Sequence, residues 1–329
     1  MSSFLEKTIE RARAANQHIV LPEGSDARTW EAAKQAAGQK VARITVLAAD
    51  ADVPADVDTS IIQVIDPATA DFKSELAEGL FELRQAKGMS REQADELITD
   101  PLYFATMMVK TGRADGAVAG AVNATSAVLR AALQILKTAP GTKLVSSYFI
   151  MDVPDCEYGE GGIFLFSDCG LVENPDAEML SEIAISSAGS FEALVGKQAQ
   201  VAMLSYSTYG SASSSLTEKV VEATRLAQEK RPDIALDGEL QLDAAIVEAI
   251  GKSKAPDSKV AGKANCLIFP DLNSGNIAYK LIERLAKAEA YGPITQGIGA
   301  PINDLSRGCS ADDILGVIAI TAAQAADKG

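Results

Sequence analysis

Apolar, β-branched runs alternate with longer stretches of helical period from the first residues onward, the pattern of βαβ units around mainly parallel sheets. Helices are expected over 2–15, 27–38 and 70–86, with strands at 18–21, 43–48 and 60–65. Residues 90–112 keep the helical period on both sides of Asp100-Pro101, and a proline is tolerated only in a first helical turn, so one helix should end and another begin there. A small-residue strand follows over 115–121. It runs into Val122-Asn123-Ala124-Thr125-Ser126, which opens a helix carrying Arg130.

The pattern then changes. Residues 143–153 and 163–167 read as strands joined by a Gly-rich loop, a hairpin-like pair that marks a crossing near residue 145. From 176 the alternation resumes, with helices near 176–195, 215–230, 241–252 and 273–289 and strands near 199–204, 234–239 and 264–269. The Gly- and Pro-rich stretch 291–301 reads as a return crossover, and a last helix over 311–327 should pack on the first domain. A chain of 329 residues exceeds the size at which one core usually keeps growing. The expectation is an α/β fold of two α/β/α domains with mainly parallel sheets, the first formed by 1–145 plus 306–329 and the second by 146–305. The loop at 301–314 would then lie beside the interdomain cleft.

Composition narrows the chemistry. A net charge of −15, with no offsetting run of Lys or Arg, repels nucleic acid and anionic membrane surfaces. No apolar run reaches the ~20 residues of a membrane span, and no secretory segment is visible, so a cytoplasmic location is expected. Cys156, Cys169, Cys266 and Cys309 lie far apart without CxxC spacing, which argues against zinc and against a disulfide framework. The sole histidine is His18. Any catalysis must therefore rest on Asp or Glu, Ser or Thr, and Arg.

Those residue types concentrate in Pro301-Ile302-Asn303-Asp304-Leu305-Ser306-Arg307-Gly308-Cys309-Ser310-Ala311-Asp312-Asp313-Ile314. This loop ends on a helix start, where unpaired N–H groups and the helix dipole favour an anion. Ser310 and Asp313 have capping-box spacing, although Asp is shorter than the usual Glu or Gln, so Asp313 reads equally as cap and as functional acid. Ser306 and Arg307 are placed to hold phosphate or to stabilise an oxyanion. The turn before Thr125 and Ser126 is a second candidate anion cradle, and Arg130, early in its helix, opposes the dipole and so wants an anionic partner. Arg84 lies near a helix end, where a cation complements the dipole; Arg28 poses the question of Arg130 more weakly. The acids of 237–243 could ligate Mg²⁺, but the structural reading is favoured. No GxGxxG opens a helix and no GxxxxGK[ST] occurs.

Several stretches together resemble the phosphate acetyltransferase (phosphotransacetylase) family: Glu82-Leu83-Arg84 with Lys87-Gly88, 115–130, 153–159, 202–208, Asp237-Gly238-Glu239-Leu240-Gln241, 261–265, 269–273 and 291–313. The resemblance implies a fold related to the isocitrate and isopropylmalate dehydrogenases, an active site in the interdomain cleft and a homodimer. It implies acetate-metabolism chemistry, acetyl-CoA + phosphate ⇌ acetyl phosphate + CoA, by direct thiolate attack in a ternary complex. CoA is a substrate in that reaction, and no cofactor or metal is implied. In this scheme Asp313 deprotonates the CoA thiol while Ser306 and Arg307 orient it and stabilise the carbonyl charge. Arg84, Arg130 and, more weakly, Arg28 bind substrate with Thr125 and Ser126. Two departures stand out: Asn123-Ala124-Thr125-Ser126 lacks a histidine common in the family, and Tyr209 and Ser213 replace two lysines of the 205–215 loop. A butyryl-preferring transferase and a catalytically silent acyl-CoA-sensing module are the alternatives.

Overall fold

The computed structural model describes residues 3–327. Ser2, at the head of the expected first helix, lies outside the described residues, as do Met1, Lys328 and Gly329. Backbone contacts divide the chain into two units, 3–140 with 298–327, and 141–297.

The first unit is built on strands β1 (His18–Leu21), β2 (Arg43–Leu47), β3 (Ile62–Ile65) and β4 (Gly116–Val118). Its helices before the crossing are α1 (Ser3–Ala15), α2 (Ala27–Gly38), α3 (Lys73–Arg84), α4 (Arg91–Leu97), α5 (Pro101–Lys110) and α6 (Thr125–Ile135). The expected break falls between α4 and α5, where Asp100 caps α5 by accepting from the Leu102 amide at 2.8 Å and Pro101 takes the first helical position.

The second unit contains β5 (Ser146–Asp152), β6 (Ile163–Ser167), α7 (Ala177–Val195), β7 (Gln200–Leu204), α8 (Ser215–Lys230) and β8 (Ala235–Leu240). It continues through α9 (Leu242–Ile246), α10 (Glu248–Lys254), β9 (Cys266–Ile268), α11 (Leu272–Leu285) and β10 (Glu289–Gln296). The chain then returns to the first unit with β11 (Ile302–Asn303) and α12 (Ala311–Ala326).

The first sheet has the order β11-β4-β1-β2-β3 and is parallel throughout. Its central strand carries Ile19, Val20 and Leu21 with both faces covered, as a parallel strand between helical layers requires. Helix α12 is buried from Ile314 to Ala323 and packs on α1, α2 and β4, so a helix apolar all round becomes core. The return to this unit comes at Ile298, ahead of the expected 306, because Ile302 and Asn303 pair with Ala117 and Val118. Two residues are too few to show a strand period.

The second sheet has the order β10-β5-β6-β9-β7-β8, with β5 antiparallel to both neighbours and the rest parallel. Its core stacks Phe149 on Tyr279 at 4.1 Å between ring centres. Three expectations need correction here. The helix expected over 273–289 ends at Leu285, and much of the stretch read as a crossover is the edge strand β10. Gly292-Pro293 disguised it: the pairing with β5 slips between Tyr291 and Ile294, so the proline, which has no N–H, occupies an irregularity on an edge strand. The helix expected at 241–252 is likewise two, parted at Val247. Among the described residues no helix is long and apolar enough to cross a membrane.

Candidate active site

Strands β11, β4 and β1 are neighbours, and the loops leaving their carboxyl ends meet. In open parallel sheets ligands bind outside those ends. The three loops carry Glu23 to Arg28, Ala119 to Thr125, and Asp304 to Asp313, and so hold most of the residues singled out from the sequence.

The turn after β4 is an anion cradle, and its anion is the protein's own. Glu23, 4% exposed, accepts from the backbone N–H groups of Gly120, Ala121, Val122 and Asn123 and from Asn123 Nδ2, at 2.8–3.2 Å. A substrate anion has no room in that nest. The helix start beyond it is different: Ala124, the N-cap of α6, offers no side-chain acceptor, and with the Ala127 amide turned back to the Ala124 carbonyl at 2.8 Å the amides of Thr125 and exposed Ser126 stay available. Thr125 Oγ1 lies 2.5 Å from Asp304 Oδ2.

Arg28 is committed within the protein. Nε and Nη2 bind the two oxygens of Asp26 at 3.0 and 2.7 Å, Nη2 also donates to the Ala121 carbonyl at 2.9 Å, and Nη1 donates to the carbonyls of Arg307 and Cys309 at 2.9 and 2.8 Å. All five N–H donors of the guanidinium are thereby matched. The pairing lowers the Asp26 pKa, chiefly through the Arg28 side-chain hydrogen bond. Arg28 thus ties the 307–309 segment to the turn after β4. Burial pushes the Cys309 thiol up to about 11, which disfavours its thiolate.

Ser306 and Arg307 are exposed. Beyond them Ser310 and Asp313 close a full capping box: the Asp313 amide donates to Ser310 Oγ at 3.2 Å, and Asp313 Oδ2 accepts from the Ser310 amide at 2.7 Å and from its hydroxyl at 2.9 Å. The short acid therefore suffices as an N3 partner. Only one oxygen is spent on the cap. Among the described residues no donor meets Asp313 Oδ1, so the cap holds the carboxylate while leaving a basic atom free.

Arg84 and Arg130 are not hydrogen-bonded to this cluster. Arg84 lines a cavity of about 500 Å³ with Lys87, Asp100, Tyr103 and Gln134, and its Nε is buried without a partner. Arg130 is exposed on α6, one turn before Gln134, whose Oε1 accepts from the Tyr103 hydroxyl at 3.0 Å. Both guanidiniums act on Tyr103 in the same sense, lowering its pKa, although burial prevails and raises it.

In the second unit the acids of 237–243 are engaged internally. Asp237 accepts from Tyr209 and Ser258, Glu239 from Ser207 and Gly210, and Asp243 from Lys254. Among the described residues no group of three His, Cys, Asp or Glu could hold a metal ion.

Sequence reasoning missed Glu23 and Asp304 as members of the site. The signal was there in part, since Glu23 follows the apolar run of β1 directly and Asp304 lies between Ile302 and Leu305. An acid inside a run that should be buried has to find donors or neutralise.

The chain belongs to the phosphate acetyl/butaryl transferase family, whose model matches residues 3–322. A phosphate acetyltransferase of Acetivibrio thermocellus is 60% identical over 326 residues, 98% of each chain. Among solved structures, a phosphotransacetylase from Streptococcus pyogenes superposes with a TM-score of 0.90 at 41% identity, covering 99% of this chain and 100% of that one. The EutD phosphotransacetylase from Staphylococcus aureus gives 0.88 at 41% identity, covering 98% and 99%.

Proposed function

We propose that this chain is a phosphate acetyltransferase that moves an acetyl group reversibly between coenzyme A and phosphate by direct thiolate attack. The observation that carries the reading is the Asp313 carboxylate, fixed by Ser310 through one oxygen and open at the other, on a loop that also exposes Ser306 and Arg307. A thiol with a pKa of roughly 8.5 is mostly protonated near neutrality, so a fixed carboxylate oxygen that accepts its proton generates the nucleophile. The sulfur then bonds to the acetyl carbon of acetyl phosphate and the bond to the phosphate oxygen breaks. Charge that grows on the carbonyl oxygen falls to Arg307 and Ser306, and one such donor is typically worth ~2.7–4 kcal/mol. Phosphate leaves as a stable anion held by Thr125, Ser126 and the open start of α6, with Arg130 and Arg84 supplying positive charge. Arg28 contributes through the loop it ties down.

Phosphate-dependent release of free CoA from acetyl-CoA is the direct assay. Absence of turnover by folded, purified protein would falsify the reading, and comparing kcat/KM for acetyl- and butyryl-CoA fixes the acyl preference.

The enzyme works in the cytoplasm as a homodimer in this reading. The row Ile277, Leu281 and Leu285 on α11, 58%, 51% and 79% exposed, supports a face covered by a second copy. Light scattering tests it: Leu281→Glu should shift the protein toward monomer, and a wild type that is already monomeric removes the proposal.

A further inference from the structure

Asp304 stands among the groups assigned above and is used by none of them. It follows β11 directly, two residues before Ser306, and is 1% exposed. Its Oδ2 lies 2.5 Å from Thr125 Oγ1, while its buried Oδ1 has no hydrogen-bond partner. The carboxyl packs against bare backbone: Gly120, at φ +114°, would bring a Cβ to 2.3 Å from Oδ1. A buried carboxylate oxygen that no donor meets in hydrogen-bond geometry bears most of its desolvation cost, whereas a neutral carboxyl bears much less.

The charged groups acting on Asp304 are Glu23, from the loop after β1, and Arg307, from its own loop. Burial is the largest influence and Glu23 adds to it. The Thr125 hydroxyl, the Leu305 amide and Arg307 oppose them, and the balance pushes the carboxyl up to about 7.

The 2.5 Å contact can be bridged by either of two protons. When Asp304 is charged, Thr125 has to donate to Oδ2, and its own proton is spent. When Oδ2 carries a proton, Asp304 donates to Thr125 Oγ1, and the threonine proton is free to turn toward the open start of α6. We propose that Asp304 is a positioning residue that sets the direction of the Thr125 hydroxyl, and thereby whether this helix start offers an O–H donor to the phosphate end of the substrate. The inference rests on the reading that Thr125 and the start of α6 hold phosphate. The donor state exists below about pH 7 and is lost as the pH rises through it.

Calorimetric binding of inorganic phosphate to wild type and Asp304→Asn, at about pH 6 and about pH 8.5, tests this alongside KM and kcat. The asparagine amide donates to Thr125 at every pH, and phosphate's own titration is common to both proteins and cancels in their ratio. The ratio of wild-type to variant Kd should rise roughly tenfold between the two pH values, the size of one hydrogen bond to a charged group, with KM for phosphate following and kcat much less affected. A ratio that does not change with pH overturns the inference. So does the absence of phosphate binding by folded wild type. A changing ratio in a protein that transfers no acetyl group would instead remove the catalytic reading and leave this one standing. Should Asp304→Asn not fold, Thr125→Val serves in its place: it lacks the hydroxyl, so its phosphate affinity should be low at both pH values and approach wild type only at the higher one.

Discussion

Helices α6 and α12 both begin beyond the carboxyl ends of adjacent parallel strands of one sheet, yet their starts are held in opposite ways. The start of α12 is closed by its own sequence, with Ser310 and Asp313 exchanging hydrogen bonds three residues apart. The start of α6 has no side-chain cap at Ala124. It is held from outside, by Glu23, which fills the preceding turn from the loop after β1, and by Asp304 against Thr125, groups about a hundred and a hundred and eighty residues away in the chain. A locally capped helix presents a fixed carboxylate oxygen, whereas a helix start braced at a distance keeps its N–H groups free for an anion. In the proposed reaction the first suits a base and the second a phosphate.

Four substitutions would break or sharpen that contrast. Asp313→Asn should have the largest effect, lowering kcat by about 10²–10⁴ while stability changes little, because the amide oxygen can still accept from Ser310. If turnover stays near wild type and only the melting temperature falls, the residue is a cap and nothing more. Glu23→Ala strips a buried carboxylate from five N–H donors and should cost about 3–5 kcal/mol in urea unfolding. A loss under about 1 kcal/mol would mean that water can replace the carboxylate in the nest.

Asp304→Asn should act on stability in a pH-dependent way. The folded state keeps the Asp304 proton up to about 7 while the unfolded chain releases it near 3.8, so wild-type stability falls as the pH rises between those values and levels off above. The variant lacks that loss. Its stability relative to wild type should therefore grow between about pH 4 and pH 7, by at most ~4 kcal/mol, and denaturant titrations that run parallel across this window would contradict the buried neutral carboxyl. Smallest of the four, Ser310→Ala should cost ~1 kcal/mol of stability and lower kcat modestly by loosening Asp313. Unchanged kcat would show that the cap does not position the base.

The α12 end of this contrast was legible in the sequence because every participant lies within four residues, and the spacing of Ser310 and Asp313 states the geometry. The α6 end was half legible. A small-residue strand over 115–121 followed by the polar turn Val122 to Ser126 marked a cradle, but the strand stops at Val118, the nest begins at Gly120, and Glu23, the group that fills it, comes from the end of another strand. Arg28 was legible as an arginine near a helix start, but its four partner residues come from three separate loops. Arg84 gave the opposite outcome, since the bland reading of a cation at a helix end does not foresee a buried Nε without a partner in a cavity. The edge strand β10 was missed because Gly292-Pro293 interrupts its alternation, and β11 because two residues carry no period.

The alternation of strand and helix, the loops that bear hydroxyls and arginines, and the capping of α12 follow from residues within a few positions of one another, where spacing and propensity suffice. Strand order is a different matter. By placing β4 between β1 and β11, the tertiary structure brought Glu23 and Asp304 to one turn and gave them unequal numbers of donors. Hydrogen-bond supply and burial at that depth depend on which distant segments meet, and no local pattern records it.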